Sequence, residues 1–554
     1  MSILYKSIKV LGLATVIALT TNSCSLDRFP ESDFSDADFW NTENDLKFAA
    51  NRMYQQLNPR WLDSRADDNQ DKISVNQTSN GSWSIPATSG EWDNPYDVIF
   101  TANNILEKGG KAGVTDEIKN RYFAEARFFR ALSYFDLVQR YGDVPLVTKT
   151  LDYDSEELTM GRTPKEEIAA LMYEDLEYAK EWLPDHRSIP EVDYGRVSKS
   201  TAMALKARIA LFLGTFGKFH GESGYEQHLQ VAVDASDYVM GQGHKLFADY
   251  GGLFRHEGEG KSNTENLLVK IYGESSSNLI LGHNYSRDLE NGRVSVTRNL
   301  IRQFLYSDGL PAYNEKNELM SNRSEYYIPE AEEETYNSVF ENRDPRLTEL
   351  LFQAGDSGYK GVWIPTTSLG SSTAYAPKKG FSTIDQEVNG NATTDRILLR
   401  YGEVLLINAE AKYELNGSIS DADLDKTINA LRKRAGFEAL LTNAFVNEHG
   451  LNMREEIRRE RNVELAIEGT RYADIIRWKL AETVLVQDIL GAKYDEETWA
   501  GADPTNLNLN QDGVMVVSAK SARRFDPSKD YLYPIPLNNI SLSGGNVVQN
   551  PNWK

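Results

Sequence analysis

One cysteine, seven histidines and no apolar run long enough to cross a bilayer set the first limits on this chain of 554 residues. A lone cysteine closes no intrachain disulfide and builds no cysteine-based zinc centre. The histidines are scattered, without H-E-x-x-H or another compact ligand spacing. There is no G-x-S-x-G elbow and no glycine-rich phosphate loop. No resident metal, no cofactor and no catalytic residues are therefore expected. Positive charge is scarce as well: 60 Lys and Arg stand against 82 Asp and Glu, for a net charge of −22. Without a basic stripe, phosphate backbones are repelled, which excludes nucleic acid as a partner. Glycoside hydrolysis needs only two carboxylates, which can come from anywhere in the sequence, but no local motif singles out a pair.

The one cysteine is well placed. Lys6 and Lys9 precede an apolar run over 10–19, and small or polar Thr20, Thr21, Asn22 and Ser23 lead to Cys24. This is the order of a secretory signal, and a run this short does not span a bilayer as a helix. Residues 1–23 are expected to be a lipoprotein signal, with Cys24 lipidated at the start of the mature chain. Membrane attachment would then come through that lipid alone.

Helical periodicity dominates much of the mature chain. Over 121–141, Phe128, Ala131, Phe135 and Val138 line one side, with Phe123, Ala126, Arg130, Tyr134 and Leu137 beside it. That apolar surface is too wide for a surface helix. Small Ala124 and Ala131 stand four residues before a Phe, as in tetratricopeptide helices. Gly142 and Pro145 stop the run. Further helices are predicted over 44–57, 96–107, 165–183, 199–216, 227–240, 296–304, 397–415 and 424–435. The fold class is mostly α: about four tetratricopeptide-like helix pairs stacked on a continuous core. Periodicity is lost over 247–395, a long irregular insertion with short strand-like runs such as 266–271.

The stretch 58–94 is polar yet carries Trp61, Trp83 and Trp92, so it reads as a functional loop rather than disorder. Its 67–71 segment has D-x-N-x-D spacing, but glycine is missing at the sixth position of a calcium loop and Thr78 stands at the twelfth. A solvated acidic turn is expected there. Asn508, Asn510 and Asp512 with Gly513 fail similarly at Ala519. Near the C-terminus, Glu455 with Arg459, and Asp474 with Arg471 and Arg477, stand at helix-neighbour spacing and read as structural pairs.

Residues 125–146, with EA-R-F-RA-YF-L-YGD-PL, resemble the signature helix of the RagB/SusD family of outer-membrane nutrient-binding lipoproteins. Similar matches recur in order: LDRFPES near the N-terminus, YSDGLP at 306–311, DPRL at 344–347, LRYGEVLL at 399–406, ER-x-x-EL-x-x-EG-x-RY over 460–472, and YLYPIP at 531–536. The resemblance covers the whole mature chain. It implies a SusD-like fold as one globular unit, with an N-terminal half over 24–250 and a C-terminal half over 251–554. It further implies a surface-facing lipoprotein of the outer membrane that captures oligosaccharides and hands them to a SusC-like TonB-dependent transporter, breaking no bond. Within the family a peptide-binding lid is the alternative; outside it, a surface glycosidase or a helical-repeat scaffold.

A sugar site needs aromatic faces rimmed by hydrogen-bonding groups. By position the resemblance places the ligand platform at 76–83 and 283–287. The candidates are Trp61, Trp83, Tyr285 and Trp363, with Arg65 and Asp67 to bond hydroxyls; Tyr359 and Tyr375 lie in the same polar stretches. Trp83 is the foremost of them, because its neighbours Asn80, Gly81, Ser82 and Ser84 suit a turn that holds the indole outward.

Overall fold

The widest apolar helix, α3 (Asp116–Tyr141), begins where the Thr115 side chain accepts from the Ile118 amide, five residues before the sequence pattern becomes apolar. It ends at Gly142, whose φ of 73° favours glycine. In this computed structural model, which describes residues 39–61, 63–72, 75–273, 282–358, 361–365, 372–499 and 503–553, α3 is buried nearly all round. Phe128, Phe129, Ala131, Tyr134 and Leu137 are all shielded from solvent. Each large side chain removed from water contributes about 1.5–3 kcal/mol. Two charges sit on this buried helix because both are paired: Arg130 makes two 2.8 Å bonds to Asp175 and one of 2.9 Å to Asn103, and Arg196 donates to Glu125 at 2.6 Å. Cys24, the signal and Tyr359 lie outside the described residues.

α1 (Glu43–Gln55) and α2 (Gly90–Lys108) pack on α3, and the stack continues through α4 (Lys165–Trp182), α5 (Lys199–His220) and α6 (Tyr225–Met240). After the irregular insertion, α8 (Tyr401–Asn416) joins α6, with α9 (Ile428–Arg434), α10 (Met453–Glu464) and α11 (Arg471–Arg477) beyond it; α7 (Tyr285–Glu290) lies inside the insertion. The molecule is mostly helical, as expected, and its largest core takes residues from Trp40 to Val547.

Several boundaries differ from the sequence reading. α2 starts at Gly90 and not after Pro95, because Trp92 is buried against Tyr96 and Tyr141, and that packing extends the helix upstream. The 296–304 run splits into the end of a strand and a single turn, Arg298–Ile301, capped by Thr297. The 424–435 run breaks at Thr427. The 397–415 run is a strand followed by a helix, because its Ile and Leu residues are pulled into pairing.

Short antiparallel ladders tie the insertion to the chain on either side of it, and another closes within the C-terminal segment. β1 (Asn69–Asp71) pairs β3 (Val294–Val296), β2 (Asn266–Lys270) pairs β4 (Arg396–Arg400), and β5 (Ile489–Lys493) pairs β6 (Val514–Ser518). The β1 pairing overturns the solvated-turn reading of 67–71. Asp67, Asp68, Asn69 and Gln70 are all buried, and Asp67 is held by Arg471 at 2.8 Å. Arg477 does bond its helix neighbour Asp474 at 2.9 Å, whereas Arg459 takes Glu456 in place of Glu455. Arg471 leaves Asp474 for the distant Asp67 because helix-neighbour pairs are worth only tenths of a kcal/mol, far less than a buried partner costs to lose.

Candidate binding cleft

The two ladders that meet the scaffold leave a cleft of about 410 Å³ between the chain after α1, the ends of β1 and β2, and the head of α7. Asn58, Pro59 and Trp61 form one wall; Lys270, Tyr272, His283 and Tyr285 form the other; Asp71, Asp288, Arg293 and Arg396 complete it. Four rings follow one another around it, each nearly perpendicular to the next. Trp61 and Tyr285 lie 5.4 Å apart, Tyr285 and His283 6.2 Å, and His283 and Tyr272 4.7 Å.

Backbone bonds fix the segments that carry these rings, and side-chain bonds fix the rings of Trp61 and His283. Trp61 Nε1 donates to the Ile397 carbonyl at 2.9 Å, which ties the loop after α1 to β4. His283 exchanges two backbone bonds with Ala392. Its Nε2 donates to the Thr394 carbonyl at 2.8 Å while its Nδ1 accepts from the Tyr285 amide, so the neutral ring is held in one tautomer. Burial, with Arg396 adding to it, pushes the imidazole down to about 4. The Tyr272 amide donates to Asp395, whose carboxyl is pushed up to about 7 mainly by burial, with Glu259 adding repulsion. Lys270 Nζ donates to the Leu57 carbonyl at 2.6 Å and anchors the end of α1. A cleft of half-buried rings with polar groups between them can take the C–H faces and hydroxyls of a sugar. Behind Trp61, a smaller hollow of about 220 Å³ between α2, α3 and α5 is walled by paired charges such as Arg60 with Asp136, leaving few groups free for a ligand.

Of the residues singled out from the sequence, Trp61 and Tyr285 meet in the cleft. The others do not. Trp363 is in a core, stacked on Phe352 at 5.5 Å. Asp67 is buried and occupied by Arg471. Arg65 spends its guanidinium on Asp63 and covers the Tyr472 ring. Trp83 is half-buried, perpendicular to Tyr533 at 4.3 Å and close to Trp553, in a separate aromatic cluster with the C-terminal segment. Arg287, in the 283–287 segment, donates to the Gln386 carbonyl. Sequence reasoning missed Tyr272, Lys270 and Arg396. For Arg396 a signal existed: a cation opening an Ile-Leu-Leu run that is otherwise apolar. Among the described residues no cluster of His, Cys, Asp and Glu could hold a metal ion.

A stack of helix pairs carrying an irregular insertion that shapes an aromatic cleft defines a class of helical ligand-binding proteins. The chain belongs to the SusD family: the family model so described matches residues 264–553, and one described as starch-binding, associating with the outer membrane, matches 26–211. SusD-like protein P2 of Formosa agariphila is 26% identical, over 97% of this chain and 98% of that protein. The starch-binding protein SusD of Bacteroides thetaiotaomicron is 23% identical, over 88% and 82%. Among solved structures, a SusD-like carbohydrate-binding protein from Bacteroides fragilis superposes with a TM-score of 0.75 at 26% identity, covering 91% of this chain and 99% of that one. A laminarin-binding SusD-like protein shares the fold at a TM-score of 0.60 and 20% identity, over 92% of this chain and 100% of that one.

Proposed function

We propose that the protein is a cell-surface lipoprotein that captures oligosaccharides in the Trp61–Tyr285 cleft and delivers them to a SusC-like TonB-dependent transporter, making and breaking no bond. The observation that carries this reading is the run of rings Trp61, Tyr285, His283 and Tyr272 around one cleft with polar groups between them. The names of the relatives support the ligand class: starch for one, laminarin for another. Attachment is through lipid on Cys24, at the outer membrane with which the family associates. Of the residues first singled out, Trp61 and Tyr285 are the ligand contacts.

Calorimetry of the mature protein against plant, host and microbial glycans, with peptides included, tests the ligand class. Truncating an aromatic anchor costs about 1.5–3 kcal/mol, so Trp61→Ala and Tyr285→Ala each lower affinity about ten- to a hundredfold. Binding of peptides and of no glycan would sink the reading, as would release of shortened products from a bound polysaccharide.

A further inference from the structure

Among the described residues, buried arginines are paired. Arg346, Arg400, Arg432 and Arg477 each reach a carboxylate, and Arg523, which has none, bonds the carbonyls of Leu485 and Ser79. Arg396 is the exception. It is 2% exposed, and its Nε, Nη1 and Nη2 are all buried without a hydrogen-bond partner. Among the described residues no other arginine has all three nitrogens in that state. A buried guanidinium without hydrogen bonds forfeits its hydration, and a stacked ring returns only part of it, so the position calls for an acceptor that the described residues do not supply.

Its surroundings show where that acceptor would come from. Arg396 lines the cleft, its guanidinium carbon 3.7 Å from the Tyr285 ring centroid and 5.5 Å from that of Trp61. Its carboxylate neighbours are engaged elsewhere: Asp385 is held by His256 at 3.1 Å and by the Thr394 hydroxyl, and Asp395 accepts from the Tyr272 amide. Gly380 leaves room beside it, since a Cβ there would stand 3.2 Å from Nη1. The Tyr285 hydroxyl, also buried, has no partner, so the ring covering the guanidinium loses no hydrogen bond by turning aside. Lys270, Arg293 and Arg396 outnumber Asp71 and Asp288 around the cleft, in a chain whose net charge is −22. Arg293 lies 3.5 Å from Asp288, which leaves Lys270 and Arg396 against Asp71, an excess of one positive charge.

We propose that the saccharide taken by this cleft carries an acidic substituent, a uronate carboxylate or a sulfate ester, and that Arg396 receives it. Both groups offer the planar or clustered oxygens that a guanidinium bonds through two nitrogens at once. The inference rests on the glycan reading and narrows it: Trp61 and Tyr285 hold the ring faces, and Arg396 sets the choice between acidic and neutral sugars.

The test is calorimetry of the mature protein with matched pairs of oligosaccharides. Oligogalacturonates and alginate oligosaccharides are set beside their carboxyl-reduced forms, and carrageenan oligosaccharides beside their desulfated forms. At least one acidic member is expected to bind tenfold or more tightly than its neutral partner, and to weaken as sodium chloride is raised. The uronate and sulfate arms show which group is used. Arg396→Gln is expected to bring the ratio of acidic to neutral affinity to about one, and Arg396→Lys to restore part of the preference. A merely structural arginine would lower both members alike and leave their ratio intact, which would overturn the assignment. Equal wild-type affinities within every pair, or binding of neutral glycans only, would overturn it even if the variants fail to fold, and would leave the glycan reading standing. Failure of every glycan, acidic and neutral, would remove the glycan reading and this inference with it.

Discussion

At the scale of single residues, Trp83 and Trp61 carry the same cue, an indole in a polar stretch, and come to different ends. Trp61 lines the cleft; Trp83 packs against Tyr533 and Trp553. Both partners lie in the last segment of the chain, so nothing near Trp83 in sequence announces them. Gly81, at φ 70°, helps lock that contact, since a Cβ there would meet the Arg524 carbonyl at 2.0 Å. Burying a tryptophan fully is worth about 3–5 kcal/mol against alanine, and for a half-buried one about 2 kcal/mol is expected. Trp83→Ala should therefore lower the melting temperature by about 2 °C while calorimetry shows glycan affinity unchanged. A variant that melts like the wild type and binds tenfold more weakly would return Trp83 to the site. Asp67 was illegible for the same reason: its partner Arg471 is 404 positions away.

At the scale of elements, long helices were legible because their apolar period is local, as in α3, α5 and α6. The pairing of β2 with β4 was not, since residues 266–270 and 396–400 meet only in the folded chain. The charged motif of the C-terminal half lies between these cases. Its residue types read as structural, but their partners are distant. Glu464, at the end of α10, accepts from Arg346 at 2.8 Å, from Arg400 at 2.8 Å and from Arg434, so one carboxylate joins the 344–347 segment, β4 and α9. Three guanidinium groups outweigh the effect of burial and hold the carboxyl well below the usual range. Glu464→Gln leaves those cations uncompensated, and removal of one partner of a buried pair costs about 3–5 kcal/mol. A carboxyl with a depressed folded-state pKa stabilises the fold above its unfolded value near 4.3, and that contribution is lost as pH falls through the folded value. Denaturant unfolding should show the full deficit of the variant at pH 7 and nearly all of it at pH 5, shrinking progressively as the pH falls below about 4.3 towards the folded value. A deficit under about 1 kcal/mol at neutral pH would contradict the network's role.

At the scale of the whole molecule, a −22 charge and a mostly helical stack must be reconciled with a family that associates with the outer membrane. Among the described residues no helix is long and apolar enough to cross a membrane. On the proposed reading two attachments act together, lipid on Cys24 and a broad contact with the transporter, and they separate experimentally. A permanent complex buries more than about 2,000 Å², enough to hold a chain that has lost its lipid. In cells lacking the transporter, Cys24→Ala should pass from the membrane fraction to the soluble fraction. In cells expressing it, the same variant should stay with membranes and co-purify with the barrel under mild detergent. Retention without the transporter would refute lipidation as the anchor, and loss from membranes in its presence would limit the partner to a transient encounter.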